Sequence, residues 1–75
     1  MRNVIINKQP VELYKLLKFE GLVASGGEAK GVIADGLVQV NGKTETRKRK
    51  KLLADDVVEF ADRKMLIELK ETHDG

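Results

Sequence analysis

Five basic side chains stand in a row in the stretch ETRKRKKL: Arg47, Lys48, Arg49, Lys50 and Lys51. Lysine offers a compact point charge, whereas the planar guanidinium of arginine can hold a phosphate through two parallel hydrogen bonds. A second anion site is legible in ASGGEAK. Ser25 lies three residues before Glu28, the spacing of a capping box. In such a box the Ser25 hydroxyl accepts the Glu28 N–H, and the Glu28 carboxylate returns to the Ser25 N–H. The N–H groups of Gly26 and Gly27 then point outward from a helix start with no side chain above them, which favours a phosphate. Glu28 works mildly against this, because it places negative charge at the same end. Lys30 and Lys43 are the remaining cations expected at the site, which thus comprises Ser25, Gly26, Gly27, Lys30, Lys43 and Arg47 to Lys51.

Other chemistries fail on spacing. GLVQVNGKT resembles a phosphate-binding loop, but five residues rather than four separate Gly36 from Gly42, and Lys43-Thr44 begin a strand instead of a helix. His73, the single histidine, has no serine or cysteine nucleophile placed beside it. Asp55-Asp56 in LADDVV reads as a turn with one carboxylate capping its own backbone, not as an acid–base or metal pair. With no cysteine and no zinc-finger spacing, no metal site is expected. We therefore expect no catalytic residues, no cofactor and no small-molecule substrate.

The totals set the frame. Seventy-five residues make one small domain, 1–75, with 70–75 as a polar and flexible tail. Hydrophobic residues at 41% suffice for a modest core, and the charged 35% is of both signs, which argues against disorder. No apolar run approaches the ~20 residues of a membrane span, and the N-terminus does not read as a signal peptide. A monomer in a reducing cytoplasm, with no membrane contact, is the expectation. The net charge of +2 hides an asymmetry. Residues 1–51 carry 11 basic and 5 acidic side chains, whereas residues 52–75 carry 3 and 7. A positive field confined to one part of the molecule steers polyanions.

The elements that must position these groups can be read in order. Arg2 to Asn7 is a short β-branched strand. Pro10 suits the first turn of a helix carrying Leu13, Leu16 and Leu17, which Gly21 ends. Ser25 starts a second helix with Ala29, Val32 and Ile33 as its buried stripe and Gly36 as its end. Its opposite stripe, Gly27, Lys30, Gly31 and Ala34, has almost no side chain. Each glycine inside a helix costs about 1 kcal/mol relative to alanine, so either close packing against the first helix or a ligand should favour the bare backbone. Val38 and Val40 alternate before an Asn41-Gly42 hairpin turn. The return strand from Lys43 should lie at an edge or project as a basic arm. Leu52 and Leu53 re-enter the core, and VVEF and KMLIEL form two strands joined through Asp62-Arg63. Tyr14, Phe19 and Phe60 are expected in the core. The fold class is α+β: two short helices packed on a small, mostly antiparallel twisted sheet.

These signals, in this order, resemble the RNA-binding domain named after small-subunit ribosomal protein four, the S-four domain with its αL motif. The resemblance runs from about Val11 to Phe60. It rests on Leu13, Leu16 and Leu17; on Ser25, Ala29 and Lys30; on Gly36, Val38, Val40, Asn41 and Gly42; and on Asp56 and Val57. The Ser-Gly helix start and the Thr-Arg-Lys-Arg stretch are similar to stand-alone bacterial members of the YbcJ-like type. The resemblance implies RNA binding, with ribosomal RNA, tRNA or a ribosomal particle as target. Many members place an arginine directly after the helix-starting serine. Here that position is Gly26, which shifts the burden of phosphate contact to Lys30 and the 47–51 run.

The residues themselves leave two readings. Lysines on an exposed edge strand can serve only to prevent edge-to-edge pairing, yet one or two suffice for that, and five adjacent ones repel each other. With no exposed aromatic platform expected, and a second helix too short and bare to read a major groove, recognition of phosphates and shape remains. That suits structured RNA. The alternative is a protein-interaction module whose basic arm docks an acidic partner.

Overall fold

Alternating burial builds the sheet. In the computed structural model, which describes residues 1–70, every second residue of VQV and of the central MLI faces inward: Val38, Val40, Met65 and Ile67 are buried between exposed or half-buried neighbours. The elements in chain order are β1 (Arg2–Ile6), β2 (Val11–Glu12), α1 (Leu13–Phe19), α2 (Gly26–Ala34), β3 (Val38–Val40), β4 (Lys43–Thr44), β5 (Lys51–Leu52), β6 (Val57–Phe60) and β7 (Arg63–Leu69). Five strands form one sheet in the order β1-β7-β6-β3-β4. Its pairings are antiparallel except β1 with β7, where Val4 lies opposite Ile67 in parallel register. The inner face joins the helices in one core, in which Leu13, Leu16, Leu17, Ala29 and Ile33 meet Val4, Val38, Val58, Met65 and Ile67. This is the α+β class expected, with mostly antiparallel strands.

Both helices are too short to be stable alone, and their ends are held by specific bonds. Gly21 adopts φ +70° and Gly36 φ +77°. Beyond each, an N–H reaches back five residues, Leu22 to the Leu17 carbonyl at 3.0 Å and Leu37 to the Val32 carbonyl at 3.1 Å. This is the Schellman closure, which glycine permits because a left-handed residue must follow the last turn. The N-terminus of α1 differs from expectation. Pro10 follows a cis peptide bond and precedes β2, so it is not in the helix. Val11 and Glu12 instead pair with Leu52 and Lys51 of β5, a two-stranded ladder that nothing in the hydrophobic pattern signalled. The Glu12 side chain does not cap α1. The Lys50 carbonyl accepts the Leu13 N–H at 2.9 Å, and the Lys48 carbonyl accepts the Tyr14 N–H at 3.1 Å.

Several local readings are corrected. Only Leu52 enters the core. Leu53 is 49% exposed, because strand alternation turns it outward. The β6–β7 turn is Ala61-Asp62 rather than Asp62-Arg63: Phe60 pairs with Arg63, so the two residues between them take φ 53° and 63°. Val32 is half-buried. Tyr14 is likewise half-buried, and Phe19, expected inside, is 87% exposed. The Asp55-Asp56 pair is a turn, as read. Asp56 accepts the Leu53 N–H at 2.8 Å and the Asn41 side-chain amide at 3.1 Å, while Asn41 Oδ1 accepts the Val57 N–H at 2.9 Å. Lys70 continues the ladder by donating its N–H to the Ile6 carbonyl. The remainder of the expected tail, with His73, lies outside the described residues.

Candidate nucleic-acid interface

The start of α2 follows from its capping box. Ser25 Oγ accepts the Glu28 N–H at 3.1 Å, as expected. The Glu28 carboxylate, however, accepts from Ala24 at 3.3 Å rather than from Ser25. The N–H groups of Gly26 and Gly27 have no acceptor among the described residues. Close packing of the helices does not explain the bare stripe. A Cβ added at Gly31 would meet nothing within 4 Å, and one at Gly27 would meet only the Ser25 hydroxyl.

The basic run is not a projecting arm. Among the described residues β4 is an edge strand paired only to β3, as expected of the return strand. Beyond it, the Lys50 N–H bonds the Arg47 carbonyl at 3.2 Å, closing a tight turn over residues 47–50. That turn is pinned to α1, because its Lys48 and Lys50 carbonyls serve as the helix's N-terminal caps. Side chains of Arg47, Lys48, Arg49 and Lys51 project into solvent, and Lys50 is half-buried. Backbone groups that secure the helix therefore present a cluster of cations at a fixed place. Lys43, Arg47 and Lys50 line one shallow depression.

Two of these cations are partly occupied. Arg47 donates from Nε and Nη2 to both oxygens of Glu45 at 3.0 Å, and its backbone N–H bonds the same carboxylate. Hydrogen bonds from the Arg47 side chain and backbone outweigh burial and hold the Glu45 carboxyl at about 2 against an ordinary 4.5, and the same contact raises the Arg47 guanidinium. Arg49 Nε stands 3.7 Å from Glu12, a carboxylate shared with Lys15. Lys30, Lys43, Lys48, Lys50 and Lys51 have no carboxylate partner among the described residues.

Tyr14 joins the two halves. Its ring lies where a Cβ on Gly26 would be 3.9 Å away, Lys30 Nζ sits 4.8 Å from the ring centroid, and its N–H binds the Lys48 carbonyl. The α2 start, Lys30 and the basic turn, far apart in sequence, thus meet around one half-buried aromatic. Nothing in the tyrosine's spacing along α1 distinguished it from an ordinary core residue. Lys15, Lys18 and Phe19 line a depression beside the same ring and Gly26. Lys43 shares its depression with Arg47 and Lys50 of the turn. Among the described residues no group of three acidic, histidine or cysteine side chains is placed to hold a metal.

The S4 domain family profile matches residues 4–68. YbcJ of Escherichia coli (strain K12) is 50% identical over 62 residues, spanning 81% of this chain and 89% of its own, and YbcJ of Shigella flexneri matches to the same extent. The solution structure of E. coli YbcJ, with an αL motif involved in RNA-binding, superposes at a TM-score of 0.69 and 43% identity, over 91% of this chain and 87% of that one. The 30S ribosomal protein S4e of Thermoplasma acidophilum superposes at a TM-score of 0.64 and 29% identity, over 88% of this chain and 40% of that one.

Proposed function

Because this chain belongs to the S4 domain family and shares the fold of YbcJ, we propose that it is a non-catalytic protein that binds structured RNA. Ribosomal RNA, tRNA or a ribosomal particle is the target class, and binding occurs in the cytoplasm by a monomer. The observation that carries this reading is the convergence around Tyr14 of the glycine-started helix, Lys30 and the pinned turn 47–51. Lys30, Lys43 and the cations of the turn neutralise phosphates, while Gly26 and Gly27 donate backbone N–H groups from the α2 start, where Ser25 holds the cap. A turn fixed by main-chain bonds holds the backbone anchors of its cations at set spacings. That matches the backbone of a shaped RNA better than a mobile arm would, and less conformational freedom is lost on binding. The likeness to a 30S ribosomal protein supports the ribosomal target class.

The test compares binding of an RNA hairpin with duplex DNA of equal charge across a salt series, for the protein and for a Lys48→Ala/Lys51→Ala variant. Both substitutions leave the capping carbonyl of Lys48 and the fold intact. RNA should be preferred at each salt concentration, and the variant should flatten the log–log salt slope by about 1.8, roughly 0.9 per lost contact. Equal and weak binding to both polymers would overturn the assignment and direct the search to an acidic protein partner.

A further inference from the structure

Single exposed apolar side chains are common and need no function. Phe19 is distinguished by its company. At 87% exposure it stands at the last residue of α1, in the sequence YKLLKF, which places two lysines and two aromatics on the outward side of one short helix while Leu16 and Leu17 turn in. Lys15 lies one turn before it and Lys18 beside it. These two lysines, with Tyr14 and the α2 start at Gly26, line a depression against one side of Phe19. On its other side a second, more apolar groove runs to β1, where Ile5 is 64% exposed. Lys15 borders both, and Lys18 has no carboxylate partner among the described residues.

A flat aromatic face flanked by ammonium groups is complementary to a nucleotide, whose base is a π-surface and whose neighbouring phosphates are anions. An apolar protein segment would cover the ring but leave Lys18 without counter-charge, Lys15 having Glu12 at 3.2 Å. We propose that Phe19 is a stacking platform for an unpaired nucleobase, with Lys15 and Lys18 holding the adjoining phosphates. The proposal rests on the RNA-binding reading above and extends it, since that reading assigns the basic turn and the α2 start to phosphates alone. It gives the protein a preference for structured RNA that carries a single-stranded flank or a bulge next to the helix.

The chain contains no tryptophan, so a Phe19→Trp variant carries a sole indole reporter at this position. Its fluorescence and its affinity are read with a blunt RNA hairpin, the same hairpin bearing a short adenosine tail, and the tailed hairpin with abasic sites in the tail. Tailed RNA should bind more tightly than blunt RNA and quench the indole, whereas the abasic tail should keep only the part of the gain owed to its phosphates and should not quench. Phe19→Ala should weaken binding of tailed RNA about fivefold or more, leave blunt RNA unaffected, and leave the melting temperature unchanged because the ring is not in the core. Equal binding of tailed RNA by Phe19→Ala and the unaltered protein would overturn the platform while leaving RNA binding intact. Concentration-dependent self-association abolished by Phe19→Ala would overturn it too, assigning the face to contacts between copies. Failure of the unaltered protein to prefer either hairpin over duplex DNA would remove both readings together.

Discussion

Glu45 offers a sharp test of how the basic turn works. Its carboxylate occupies the Nε edge of Arg47, the edge best suited to grip a phosphate with two bonds. Of the seven cations in the site, five have no carboxylate beside them among the described residues. If those five contact phosphates, the salt slope should be about −4.5, at roughly −0.9 per contact. Replacing Glu45 by glutamine removes the negative charge and releases Arg47, while the amide oxygen can still accept the Arg47 backbone N–H. A sixth contact steepens the slope to about −5.4, which corresponds to about eightfold tighter binding at 0.1 M salt and about threefold at 0.3 M. The assay is fluorescence anisotropy of a labelled RNA hairpin over that range. The gain must disappear when Arg47→Ala is added, because the two changes act through one guanidinium. An unchanged slope in Glu45→Gln would refute the masking argument, and weaker binding would mean that Glu45 aims Arg47 rather than competes for it.

Three further outcomes are expected. The Glu45 carboxyl, followed by NMR, should titrate near 2, and in Arg47→Ala it should return toward 4.5. Since the folded value lies below the ordinary one, the pair contributes stability that is complete above about pH 5 and is lost as pH falls toward 2, so RNA binding should not respond to this group between pH 5 and 8. Gly31→Ala should stabilise the fold by up to about 1 kcal/mol, since the methyl group meets nothing. If RNA approaches the bare stripe, the same change weakens binding, whereas higher stability with unaltered affinity would exclude that approach. Asn41→Ala should destabilise by about 1–3 kcal/mol in chemical denaturation, because it removes the amide that satisfies both Asp56 and the Val57 N–H and places alanine at φ 53°. A negligible change would show that the turn is held by its backbone alone.

Much of the frame was legible locally, because the physics that sets it is local. The capping hydroxyl of Ser25, the left-handed ends at Gly21 and Gly36, the Asn41-Gly42 turn and the alternation of Val38 and Val40 each depend on a few neighbouring residues. They fall where the sequence places them. The bond from the Glu28 N–H to Ser25 Oγ and the closure beyond Gly21 needed no knowledge of the rest of the chain. Pro10 failed as a helix signal because β5 competes for Val11 and Glu12, and β5 lies forty residues away. Phe19 failed as a core residue because periodicity cannot say how much of a two-turn helix the sheet will cover.

The sequence by itself determined that this protein has an α+β domain with an S4-type order of signals and a surplus of cations in one region. It also determined which residues carry charge. Only the tertiary structure decided which of those charges are available. Glu45 closes on Arg47 across two residues, and Glu12 approaches Arg49 only because the Lys48 and Lys50 carbonyls cap α1 and draw the turn onto the helix. The meeting of Gly26, Lys30 and that turn at Tyr14 is likewise a product of chain crossing. Local pattern encodes element type and charge, whereas the distance between charges, with which their interaction energy falls inversely, is set by packing between elements remote in sequence.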